Sequence, residues 1–180
     1  MTLIVLGLIL VSLVIVLVYA FQRINMDVVS EVEILNPAGD KGRALVIYHP
    51  GLSDFQYKVT IAFAEGLVSN GWRVEVTTAS SSAPTNLSGY DLLVLGSPTY
   101  GGKPAPSIER YLTRVGNLEL KRTVIIATAG GSNLTAERMK ELVQTANGSV
   151  AKSITLFTMA PNDGDPIEIA TNAGKEIATP

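Results

Sequence analysis

The 180-residue chain contains no cysteine. That absence excludes disulfide bonds, thiolate nucleophiles and cysteine-ligated iron–sulfur clusters. A single histidine, His49, is too few for a histidine-cluster metal centre. Any redox chemistry therefore needs a borrowed organic cofactor. A dominant charge of one sign is missing as well. Fourteen basic and sixteen acidic side chains leave a net charge of −2 with no basic stripe, so nucleic acid is not an expected partner. No internal repeat is visible. What remains is enough chain for one domain with a sizeable core.

Charge is also absent from residues 3–21, a run of 19. As a helix this run is about 28 Å long, close to the hydrocarbon thickness of a bilayer. A cleaved signal peptide competes with this reading, because Val18-Tyr19-Ala20 is an acceptable cleavage pattern. Against it, no Lys or Arg precedes the run, and the run exceeds a signal core of roughly 7–15 residues. A buried core helix is the third option, but β-branched residues crowd every turn and no polar face exists. The favoured organisation is a transmembrane anchor over residues 1–22, a linker over 23–42 and a globular domain over 43–180. Arg23, Lys41 and Arg43 follow the span and none precedes it, which places the C-terminal domain in the cytoplasm. Three Asn-x-Ser/Thr triplets, at Asn86, Asn133 and Asn147, carry little weight against that orientation, since such triplets are common by chance in loops. In the linker, Val28, Val29, Val32 and Ile34 fit either a short strand or a helical turn, and Asn36-Pro37-Ala38-Gly39-Asp40 signals a loop.

The globular part alternates apolar strands with amphipathic helices. Residues 43–49 (RALVIYH) read as a strand stopped by Pro50-Gly51. Ser53 or Asp54 can cap a helix running to about residue 69, and Asn70-Gly71 ends it. Residues 72–78 (WRVEVTT) alternate as an outer strand does, with Trp72 packed in the core or along the edge. Residues 79–89 form a loop rather than a full helix. Residues 91–95 are a strand, and Pro104 and Pro106 open the helix that follows. Residues 121–128 and 152–159 are strands, and residues 134–146 are helical between them. Asp165 caps a terminal helix that starts at Pro166 and buries Ile167, Ala170 and Ile177. Five strands alternating with about four helices predict a parallel sheet with right-handed crossovers.

The most informative stretch is residues 91–102, DLLVLGSPTYGG. Leu92-Leu93-Val94-Leu95 lacks polar alternation, which suits a strand covered on both faces. The chain then breaks into small turn-forming residues around one aromatic, Tyr100. Ligands of open α/β sheets bind at this carboxyl end of the strands. GSPTYGG, followed by ERYL in the next helix, resembles the flavin-ring loop of the flavodoxin-like family. The resemblance covers roughly residues 43–180 and implies a three-layer sandwich with five parallel strands in the order 2-1-3-4-5.

The resemblance implies flavin mononucleotide (FMN) as cofactor, held by three loops. Gly51, Leu52, Ser53, Asp54 and Phe55 fall in the phosphate loop. Ser97, Pro98, Thr99, Tyr100, Gly101 and Gly102 fall on one side of the flavin ring, and Ala129, Gly130 and Gly131 on the other. A loop entering a helix offers free N–H groups and a favourable dipole to an anion, and Tyr100 can stack on a flat ring. The phosphate loop departs from the family's Ser/Thr-x-Thr-Gly-Asn-Thr pattern. His49-Pro50-Gly51-Leu52-Ser53-Asp54 lacks most of the hydroxyls, and Asp54 sets a negative charge where a phosphate belongs. Asp54 reads more simply as a helix cap than as a catalytic acid. His49 is either a strand-end histidine satisfied by a backbone group or a phosphate contact. Two functions follow. The first is a membrane-tethered FMN protein passing electrons between redox partners, with a quinone-type reductase as a variant; no residue is then an acid–base catalyst. The alternative is a scaffold or binding domain of the same fold that has lost its flavin.

Overall fold

A computed structural model describes residues 2–179, with side chains from residue 4 onward. The elements run α1 (Thr2–Asn25), β1 (Glu33–Leu35), β2 (Arg43–Tyr48), α2 (Phe55–Ser69), β3 (Arg73–Thr78) and β4 (Leu92–Tyr100). They continue with β5 (Lys103–Pro104), α3 (Pro106–Val115), β6 (Arg122–Ala129), α4 (Leu134–Thr145), β7 (Ser149–Phe157) and α5 (Pro166–Ala178).

Helix α1 is long and apolar enough to cross a membrane, and its large apolar side chains from Ile4 to Tyr19 are all exposed. A soluble core helix buries one face; this one does not, so the core-helix option falls away.

The parallel strands lie in the order β3-β2-β4-β6-β7, which in chain order is 2-1-3-4-5. Both faces are covered, which is why β2, β4 and β6 are continuous apolar runs. Successive side chains point to opposite faces. Val46, Val94 and Ile126 meet Phe63 and Leu67 of α2 and Ala170 and Ile177 of α5. Leu45, Ile47, Leu93, Leu95 and Ile125 meet Ile108 and Tyr111 of α3 and Met139 and Val143 of α4. The crossover from β3 to β4 has no helix, as expected. Ala79, Ala83 and Leu87 fill that side, and the Tyr111 hydroxyl holds the loop by donating to the Pro84 carbonyl at 2.8 Å.

Several boundaries move. The central strand does not stop at Leu95 but continues through Tyr100, because residues 99–104 fold back as a hairpin. Pro104 lies in that hairpin, so Pro106 alone starts α3. The last strand begins at Ser149, with a register shift opposite Thr123 and Val124. Asp165 caps α5 as expected, accepting from the amides of Ile167 and Glu168 at 2.9 and 3.0 Å, whereas Ile167 itself is exposed. Of the two options for the linker, residues 33–35 take the strand. They pair antiparallel with β3, so Glu33 lies opposite Val76 and Leu35 opposite Val74. Polar residues on β3 are therefore less exposed than an outer strand allows. Glu75 is buried, and Arg43, Arg73 and Tyr90 all donate to its carboxylate.

Helices α2 and α5 approach backbone to backbone. A Cβ on Gly174 would stand 2.1 Å from the Phe63 carbonyl oxygen, and one on Gly66 would stand 2.2 Å from that of Thr171. A methyl group there forces the helices apart, at a cost of about 1–3 kcal/mol or more. Gly174→Ala is therefore expected to lower the urea midpoint clearly, whereas Gly130→Ala, with its nearest neighbour at 3.5 Å, leaves the midpoint nearly unchanged.

Candidate functional site

Because the five core strands are parallel, their carboxyl ends and the loops that follow them gather at one rim. The first loop leaves β2 through His49, whose amide adds a rung by donating to the Gly96 carbonyl at 3.0 Å. Gly51 then takes a φ of +83°, open to glycine at little cost, and turns the chain into α2. Asp54 occupies the N-cap position, but its side chain makes no capping hydrogen bond. The expected cap is absent because the carboxylate turns outward to Lys58 at 2.7 Å, a partner one helical turn along that also holds its pKa below the usual range. Thus the first-turn amides of α2 are not spent on a side chain.

Helix α2 is held over this rim by a buried glutamine. Gln56 accepts from the Thr128 hydroxyl at 2.8 Å and donates to Thr60 at 3.0 Å, tying α2 to β6. Gly96 of β4 makes room for it, since a Cβ there would lie 2.9 Å from the glutamine nitrogen.

The second loop is a hairpin. Thr99 pairs with Pro104 and Tyr100 with Lys103 across a two-residue turn. Gly101 and Gly102 have φ of +57° and +77°, the signs a tight primed turn requires. Ser97 closes its base: the buried hydroxyl accepts from the Ala105 amide at 2.8 Å and donates to the Pro98 carbonyl at 2.9 Å. The third loop follows β6 and is braced by the chain after β7. The Thr158 amide donates to the Ala129 carbonyl, and the Met159 and Ala160 amides donate to that of Gly130.

These loops enclose a cleft of about 150 Å³. Of the residues expected to hold a cofactor, Gly51, Leu52, Ser53 and Phe55 line one side; Pro98, Thr99 and Tyr100 line a second; Ala129 and Gly130 line a third. Asp54, Ser97, Gly101, Gly102 and Gly131 do not line it. Asp54 points to solvent, Ser97 is buried in the hairpin base, and the glycine pair borders a separate surface depression with Lys103 and Leu134. Gly131 lies beside Ala160. The cleft also takes in Gln56, Thr128 and Thr158. Their only signal in the sequence is position, just after the phosphate loop and at strand carboxyl ends.

Among the described residues the Thr99 and Tyr100 hydroxyls are buried without a well-formed hydrogen bond, although the Leu52 amide approaches the Tyr100 oxygen. Burial pushes the Tyr100 phenol up to about 12, so it keeps its proton. The Tyr100 ring stands edge-on to His49, with centroids 6.0 Å apart.

His49 is only 2 % exposed. Its Nδ1 lies 3.2 Å from the Ser107 hydroxyl rather than on a backbone group, and its Nε2 has no partner. Burial, reinforced by the positive charges of Arg23 and Arg110, pushes it down to about 4. It is therefore neutral at pH 7 and brings no positive charge to an anion. Because the folded-state value lies below the ordinary 6.5, the unfolded chain binds the extra proton. Stability is then full above pH 6.5 and falls as the pH drops toward 4. The loss is on the order of 3 kcal/mol by linkage. Urea melts between pH 7 and pH 5 should show much of this slope in the parent chain and little of it in His49→Gln.

No protein-family model and no curated protein matches the chain. Solved structures do match. A flavodoxin from the domain Archaea is 19% identical at a TM-score of 0.64, over 76% of this chain and 96% of that one. The two-electron reduced flavodoxin of Megasphaera elsdenii is 16% identical at 0.62, over 74% and 98%. An NAD(P)H:quinone oxidoreductase from Methanothermobacter marburgensis is 18% identical at 0.54, over 76% and 96%. About three quarters of the chain thus matches two flavodoxins over nearly their whole length. The architecture of this chain is flavodoxin-like.

Proposed function

We propose that this chain is a membrane-tethered flavodoxin-like protein that binds FMN at the rim cleft and carries electrons between redox partners. The observation that carries the reading is the make-up of the cleft. The first turn of α2 carries no side-chain cap, Ser53, Phe55 and Gln56 line the cleft at that helix start, and the facing hairpin brings the buried hydroxyls of Thr99 and Tyr100. Helix N-termini bind phosphate through their first-turn amides. The residues that would hold the phosphate end are those from Gly51 to Phe55, and Thr99, Tyr100 and Gly130 would border the rest. When bound, FMN supplies the one- and two-electron chemistry that no side chain of this protein can provide. The protein's part is to position the group and keep water from it. The sequence carries no separate nicotinamide fingerprint, so electron carriage ranks above quinone reduction. Helix α1 supplies the tether, and the basic residues after it favour a cytoplasmic domain.

A second reading, a scaffold of this fold without flavin, rests on two specific observations. The phosphate loop is poor in hydroxyls, and the cleft is smaller than the roughly 300–1,000 Å³ typical of ligand pockets. Desalting the chain after incubation with FMN separates the two readings: retained flavin with quenched fluorescence supports the first, and complete loss at high FMN concentration supports the second.

The same titration tests the electrostatics. Asp54→Asn removes a negative charge beside the helix start, worth roughly 0.3–1 kcal/mol, and should tighten FMN about two- to fivefold. Tyr100→Ala should weaken binding and reduce the quenching; unchanged affinity would remove Tyr100 from the ring's surroundings.

A further inference from the structure

We infer that the carboxyl rim is a membrane-docking face, seated on the lipid surface with the cleft mouth toward the headgroups. Two independent observations place it there. The first is where the anchor meets the domain. The carbonyl of Asn25, the last residue of α1, accepts from Arg110 Nη2. The Asp27 carboxylate accepts from the Ser81 amide at 3.0 and 3.1 Å, and the Thr78 hydroxyl donates to the Val28 carbonyl. Thr78 ends β3, so the chain leaves α1 at the carboxyl rim. It then runs away from that rim along β3 as antiparallel β1.

The second observation is where the domain exposes large apolar side chains. Met159 is 89 % exposed, Leu134 60 % and Leu52 53 %; Tyr57 and Ile167 are also exposed. Each belongs to a loop or first helical turn that follows a parallel strand, so all five lie at the rim. Among the described residues after β1, Leu120 alone is comparably exposed away from it. Apolar side chains gathered on one face mark an interaction surface, and residues of this type insert at the boundary between headgroups and acyl chains. A bilayer is the occupant that fits, because the apolar helix emerges at the same edge.

The inference deepens the proposed function by giving the cleft its orientation, but its test needs no flavin. The chain has no cysteine, so single cysteines report cleanly. Ser132→Cys on the rim and Leu120→Cys on the opposite edge are each labelled with bimane in the full chain. The chain is reconstituted in phosphatidylcholine vesicles carrying a headgroup nitroxide lipid. Quenching is expected to be several-fold stronger at position 132 than at 120. Adding Leu134→Ser, Met159→Ser and Ile167→Ser, all exposed positions outside the cleft, should reduce that ratio. Equal quenching at the two positions, or a ratio unmoved by the serine substitutions, overturns the docking face. A rim covered by protein instead of lipid gives the first of these results. Failure of FMN binding leaves the quenching pattern untouched, so the two readings fail separately.

Discussion

Helix α2 packs on its sheet through Val59, Phe63 and Leu67, and a polar lock fixes its first turn. Gln56 is buried between Thr60 and Thr128, with Gly96 supplying the space. A buried amide left unpaired costs about 1–3 kcal/mol, so this arrangement is stable only with both partners in place. The lock lies in the first turn of the helix and therefore sets where the helix begins. The close approach of Gly66 and Gly174 fixes the same helix along its flank against α5. Together they aim the first turn of α2 at the rim, and every feature of the cleft depends on that direction.

On the proposed reading, the electrostatics of the cleft absorb a departure from the family pattern. Asp54 brings a negative charge to a position suited to an anion. Lys58 draws the carboxylate aside, at the modest energy of an exposed ion pair. His49, which does not line the cleft, is kept neutral by burial. What remains for an anion is the backbone, with the Ser53 hydroxyl beside it. Backbone amides read charge and shape rather than side-chain identity, so such a site tolerates sequence change better than a hydroxyl cluster does.

The layers were legible because periodicity reports burial; the strand order came only with the resemblance of GSPTYGG to the flavodoxin-like loop. Continuous apolar runs in β2, β4 and β6 mark strands covered on both faces, and Leu92–Leu95 shows this most plainly. Cap chemistry was legible at Asp165, where Pro166 follows, but not at Asp54, where a lysine one turn on competes for the same carboxylate. The hairpin at residues 99–104 is not legible in the sequence, since nothing local distinguishes a glycine pair that turns a chain from one that frees it. Thr158 joins the cleft only through pairing between β6 and β7, a contact across 29 residues that carries no local signal. Gln56 was missed for a related reason. A glutamine near a helix start looks solvated until the glycine opposite it is known.

The short path from Asn25 to Thr78 governs how the molecule meets other molecules. A freely diffusing carrier tumbles and shows each of its sides in turn. For a chain whose α1 lies in a bilayer, Asp27, Val28 and Ser30 bind the domain almost where the helix ends, leaving hardly any slack for rotation. Its encounters are then lateral, within a plane, with one edge always leading. Confinement of that kind raises the effective concentration of co-resident molecules without any new contact. Selectivity for them follows from geometry before a single side chain is involved.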